Sequence, residues 1–126
     1  MNKKYFLLLL LIFPVLSLSA QSGKQKKADR LYENFAYTKA IDLYKDLLEK
    51  NYNTAANTEK LADAYYQLRD PENAVQYYAS VVKQPDASPE TYYRYAQMLR
   101  GVREYEKSRE WLKKYQQEGR NPKQVE

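Results

Sequence analysis

The 126-residue chain contains neither cysteine nor histidine. That absence excludes a disulfide framework, a Cys/His zinc site, a cysteine nucleophile, a histidine base and histidine ligation of haem. Glycine occurs only at Gly23, Gly101 and Gly119, too few and too scattered to build a glycine-rich phosphate cradle. Much of enzymology is closed off, and neither catalysis, nor a cofactor, nor a metal is expected. The aromatic content is lopsided: 14 tyrosines stand against 3 phenylalanines and 1 tryptophan. Tyrosine joins a large apolar body to a polar tip, which suits packing seams and wet contact surfaces. The length suits one small domain.

The N-terminus reads as a targeting segment rather than as part of that domain. Met1-Asn2-Lys3-Lys4 is basic, Tyr5 to Leu16 is apolar apart from Pro14, and Ser17-Leu18-Ser19-Ala20 is small and weakly polar. This is the three-part pattern of a secretory signal peptide, with cleavage expected after Ala20. The apolar run is about a dozen residues, short of the ~20 that a spanning helix requires. No cysteine follows it to carry a lipid. The expected mature chain, 21–126, has no transmembrane span. Two of the 21 basic residues lie in the leader, which leaves 19 against 16 acidic, a net of +3 with the signs interspersed. Nucleic-acid binding asks for a basic stripe, and export argues against it independently. An exported, cysteine-free chain is expected in the periplasm of a bacterial envelope.

The mature sequence repeats itself. Ala28, Ala62 and Ala96 are spaced 34 apart. The same interval links Ala40, Ala74 and Ser108; Tyr44, Tyr78 and Leu112; and Leu31, Tyr65 and Leu99. Four columns sharing one period define copies at 21–54, 55–88 and 89–122, followed by a short tail, 123–126. Each copy carries two apolar stripes at the three-and-four spacing of an amphipathic helix. Leu61, Ala62, Tyr65 and Leu68 form one, for example, and Ala74, Val75, Tyr78, Val81 and Val82 another. Asp70-Pro71 and Ser88-Pro89-Glu90 supply capping side chains ahead of a proline at the first helical position. Thr38 is expected to cap the second helix, Asn51 to Thr54 to break the chain, Gly101 to end the fifth helix, and Gly119 with Pro122 to end the sixth. Turns this short force paired helices to lie antiparallel. The alanine columns let their axes approach closely, and one copy alone cannot bury its apolar face.

These columns resemble tandem tetratricopeptide repeats, 34-residue helix-turn-helix units with small residues on both helices at their closest approach. Pro71 departs from the aromatic that Tyr37 and Tyr105 supply in the other copies. The resemblance implies an all-α, right-handed solenoid of three repeats and six helices. It also implies a groove, lined by the first helix of each pair, that takes a protein or peptide partner. Matching positions are Asp29, Tyr32 and Glu33; then Glu59, Lys60, Asp63, Tyr66 and Gln67; then Tyr93, Arg94, Gln97 and Arg100. They grade from acidic to basic, with tyrosines between. Repeats that grip a chaperone's terminal carboxylate carry a Lys/Asn/Arg set, whereas the corresponding residues here are Gln25, Asp29, Lys60, Glu90 and Arg94, and two of these repel a carboxylate. Within Tyr65-Tyr66, Tyr77-Tyr78 and Tyr92-Tyr93, one ring should face the seam and its neighbour the surface, since adjacent helical residues point about 100° apart. The acid pairs Glu59/Asp63 and Glu106/Glu110 read as solvated helix faces. The chain further resembles, in texture, the N-terminal repeat segment of OmpA-like outer-membrane proteins of Bacteroidetes-type bacteria. Two roles follow: an envelope scaffold in an assembly or secretion complex, or a structural segment of a peptidoglycan-linked outer-membrane protein. The last seam, around Leu112 and Tyr115, is expected to be open to water unless a following domain, a partner or a second copy of the chain covers it.

Overall fold

The computed structural model describes the backbone of residues 3–119 and the side chains of 17–119. Pro122 and the tail 123–126 lie outside the described residues. Six helices follow one another: α1 (Lys3–Glu33), α2 (Tyr37–Glu49), α3 (Thr54–Gln67), α4 (Pro71–Val81), α5 (Pro89–Gly101) and α6 (Tyr105–Glu118). Among the described residues there is no strand. Each helix packs on its neighbours in sequence, so the chain advances as a stack of helix pairs. This is the expected all-α solenoid.

The small-residue columns lie at the centre. Ala28, Ala40, Ala62, Ala74 and Ala96 are fully buried and Ser108 nearly so. The Ser108 hydroxyl donates to the Ala96 carbonyl at 2.7 Å, which joins α5 to α6 and satisfies the one polar member of the columns. Large side chains fill the seams between pairs: Tyr44, Leu47, Leu61, Tyr78, Val81 and Leu99. The tyrosine doublets divide as expected. Tyr65, Tyr78 and Tyr92 are buried, while Tyr66, Tyr77 and Tyr93 are half-buried.

One local expectation needs correction. Thr38 is an ordinary residue of α2, whose cap is Ala36 with no side-chain hydrogen bond, whereas Asp70 and Ser88 do cap, accepting from the amides of Asn73 and Thr91. Gly101 ends α5 as expected, though not in a left-handed conformation. It is required because a Cβ there would sit 2.7 Å from the Pro71 Cβ.

The left-handed residue comes two positions later. Phe35, Arg69 and Arg103, again 34 apart, have φ of 60°, 55° and 65°. At each, the amide donates three residues back and the next amide five back, as in Ala36 N to Leu31 O and Asp70 N to Tyr65 O. This Schellman geometry closes each hairpin. A non-glycine residue there carries ~1–2 kcal/mol of strain. Arg103→Gly is therefore expected to stabilise the fold by about 0.5–1 kcal/mol after the greater freedom of glycine in the unfolded chain is counted. A thermal melt followed by circular dichroism should rise by a few degrees, and Arg103→Ala should show no such gain.

α1 also differs from expectation. It runs unbroken through the expected cleavage point at Ala20–Gln21. No proline lies between Ser17 and Glu33 to stop it. Residues 17–20 are exposed, burial begins at Gln21, and Ala28 is the first fully buried position.

Candidate binding groove

The first helices of the three pairs, α1, α3 and α5, touch one another through side chains. Between α1 and α3, Gln25 Nε2 donates to Asn57 Oδ1 at 2.9 Å, and the Lys60 ammonium sits 4.5 Å from the centre of the Tyr32 ring. Between α3 and α5, the Tyr66 hydroxyl donates to Gln97 Oε1 at 2.9 Å. Arg94 donates to Asp63 at 3.0 Å and lies 5.5 Å from the Tyr66 ring. The pattern is itself periodic: a tyrosine on one copy is roofed by a cation from the next. Such a contact contributes ~0.5–1 kcal/mol at an exposed site and more when desolvated.

A second recurrent link ties each groove aspartate to the partner helix of its own pair. The Tyr44 hydroxyl donates to Asp29 at 2.7 Å, and the Tyr78 hydroxyl to Asp63 at 2.6 Å. Burial first, and then the adjacent carboxylate, push both phenols far above their ordinary 10. Tyr32 is pushed up to about 12 by burial and by Asp63. Burial works against the charge of Arg94, but Asp63 and Glu90 outweigh it and hold the guanidinium protonated. That arginine, at one of the positions corresponding to a chaperone-type clamp, is already occupied by two carboxylates.

The structure divides the work of the twelve expected groove residues. Asp29, Tyr32, Lys60, Asp63, Tyr66, Arg94 and Gln97 hold neighbouring elements together. Glu33, Glu59, Gln67 and Arg100 are exposed, and Tyr93 is half-buried with its ring 5.2 Å from Tyr115. Sequence reasoning missed Gln25 and Asn57. Asn57 is fully buried, receives Gln25 and donates to the Tyr52 carbonyl, so it binds α1 to the loop before α3. No period or motif marks it. The tyrosine hydroxyls of α2 and α4 were also missed as partners of the groove aspartates, although both stand 15 residues after their aspartate and the two pairs are 34 apart.

Glu59 reports on this surface. Partial burial, then Asp63 and Asp86, raise its carboxyl above the ordinary 4.5. A carboxyl raised on folding favours the protonated native state. Its stabilising contribution is present below pH 4.5 and is lost as pH rises through the folded value. Glu59→Gln should therefore melt higher than the parent at pH 7, and the difference should vanish near pH 4. A variant that melts lower at pH 7 would remove this reading of Glu59.

The tetratricopeptide repeat pattern matches the sequence twice, over residues 26–90 and 59–123. The chain belongs to the tetratricopeptide repeat family. Repeats of this family generally mediate protein–protein interaction and typically serve as scaffolds rather than enzymes. No curated protein matches the chain. Among the described residues no helix is long and apolar enough to cross a membrane.

Proposed function

We propose that this repeat protein is an exported scaffold that binds an extended segment of a protein partner along the α1/α3/α5 face. The observation that carries the reading is the charge left over once internal pairing is complete. Among the described residues, exposed Glu33 on α1 and Glu59 on α3 keep acidic charge and exposed Arg100 on α5 keeps basic charge, beside Tyr66, Gln67 and Tyr93. A surface of this kind sets the direction of a bound chain, because like charges brought together are costly. Location in the cell envelope rests on the three-part N-terminal sequence and places the work in an assembly or secretion complex. N-terminal sequencing of the chain recovered from a periplasmic fraction should begin at Gln21. Recovery of Met1 in the cytoplasm would end the envelope reading.

The groove is tested by photo-crosslinking from a reactive residue at exposed Gln67, compared with one at exposed Lys83 just after α4. Adducts with the same protein from Gln67 alone support groove binding. Equal adducts from both positions, or from Lys83 alone, overturn it. Arg94 is unsuitable as a binding probe, because Arg94→Ala would strip Asp63 of its charge partner.

One observation favours the second role, a segment whose partner is the remainder of an OmpA-like, peptidoglycan-linked outer-membrane protein. Tyr44 and Leu47 are fully buried by the next pair, whereas their counterparts Leu112 and Tyr115 on α6 stay half-buried. That side of α6 is open to self-association or to more of such a chain. Light scattering over a concentration series separates the two: dimerisation abolished by Tyr115→Glu marks self-association, and a strict monomer leaves the seam to another segment.

A further inference from the structure

The third copy breaks both columns that close the groove in the first two. Where Tyr44 and Tyr78 fill the space with buried rings, the third copy has Leu112; where Asp29 and Asp63 receive their hydroxyls, it has Gln97. Leucine ends where the phenol ring would continue. A pocket of about 140 Å³ remains between α5 and α6, lined by Tyr93, Ala96, Gln97, Arg100, Ser108 and Leu112.

Its chemistry is one-sided. Ala96 and Leu112 give an apolar wall, and the Ser108 hydroxyl is already committed to the Ala96 carbonyl. At the rim, the Gln97 oxygen accepts from Tyr66, which leaves its amide NH₂ to donate. Arg100 has no carboxylate within ion-pair distance among the described residues, whereas Lys60 and Arg94 are both occupied by neighbours. The rim thus offers donors and little to accept. A tyrosine from a partner would lack the acceptor that Asp29 and Asp63 provide in the other copies. A carboxylate can accept from every one of these groups, and charge-assisted bonds to it are the stronger kind.

We infer that this pocket receives a single glutamate side chain from the part of an extended partner segment that lies on α5, away from Glu33 and Glu59. Its methylenes lie against Leu112 and Ala96, and its carboxylate meets Arg100 and the Gln97 amide. The inference rests on the groove reading above and adds the chemistry of one anchor.

The probe is N-acetyl-glutamate N-methylamide, titrated into the ¹⁵N/¹³C-labelled chain and followed by NMR. Shifts are expected at the Gln97 side-chain amide, the Arg100 Nε and the Leu112 methyls. The glutamine analogue should bind about tenfold more weakly or worse, and so should the Arg100→Gln variant. Gln97→Asp with Leu112→Tyr rebuilds the pair found in the other copies and fills the pocket with the chain's own ring. It should melt no lower than the parent and lose the probe's shift at the Arg100 Nε, the reporter that both proteins share. An unchanged Arg100 Nε shift in that filled variant, or equal binding of the glutamine analogue to the parent, overturns the proposal. Stronger shifts with N-acetyl-leucine would assign the pocket to a chain end and overturn the glutamate. Groove crosslinks from Gln67 that survive in the filled variant show that the groove reading stands without this anchor.

Discussion

Tryptophan at position 62 should abolish the cooperative melt of the whole stack. Ala62 is fully buried on α3, and Ala74, its counterpart on α4, is equally inaccessible. Inserting bulk into a filled core commonly costs ~1–3 kcal/mol, and a bicyclic ring at a helix crossing lies at the upper end or beyond it. The site multiplies the effect. α3 and α4 contact both α2 and α5, so forcing this pair apart weakens the interfaces on either side, and stability in a stacked array is a sum of such interfaces. Against a total of ~5–15 kcal/mol, far-ultraviolet circular dichroism should show a broad loss of helicity at a much lower temperature. Ala28→Trp should be milder, because α1 closes only one side of the stack. A parent-like melt for Ala62→Trp would contradict the close helix crossing on which the fold depends.

Tyr78→Ala should cost ~3–5 kcal/mol, the range for emptying a large aromatic site. The ring is fully inaccessible, lies 6.2 Å from that of Tyr95, and holds Asp63 through its hydroxyl. Tyr78→Phe separates the two contributions. It keeps the packing and removes one hydrogen bond to a charged acceptor, about 1.5–3 kcal/mol at most, with Arg94 still present to satisfy Asp63. Denaturant titration of parent, Phe and Ala variants measures both steps, and equal losses for Phe and Ala would mean that the ring packs against nothing. The same residue has an alkaline signature. A phenol raised on folding contributes stability that is complete below pH 10 and is lost as pH climbs above it, because the unfolded chain ionises there first. The parent should therefore lose stability above pH 10, and Tyr78→Phe should lose less.

The groove was only partly legible in the residues. The 34-residue period fixes which positions of the three copies correspond. It does not fix the role of each side chain. Asp63, Tyr66 and Arg94 read as members of a partner-binding groove, yet they bind α3 to α5 and to α4. Arg100 and Gln97 read as equals of the rest, yet they flank a pocket that exists because Leu112 is shorter than its counterparts. Distances across neighbouring copies decide such matters, and no spacing within one helix reports them.

The sequence by itself determined the helices, their pairing and the need for several copies, because apolar periodicity, proline caps and small-residue columns are local properties that repeat. Which charges hold the stack together and which stay exposed was settled only by the packing of the helices. It also decided that Phe35, Arg69 and Arg103 take a left-handed turn usually left to glycine. The reason is common to both: side-chain pairing and turn strain depend on how one helix is rotated against the next, and that rotation is fixed only when every seam is packed at once.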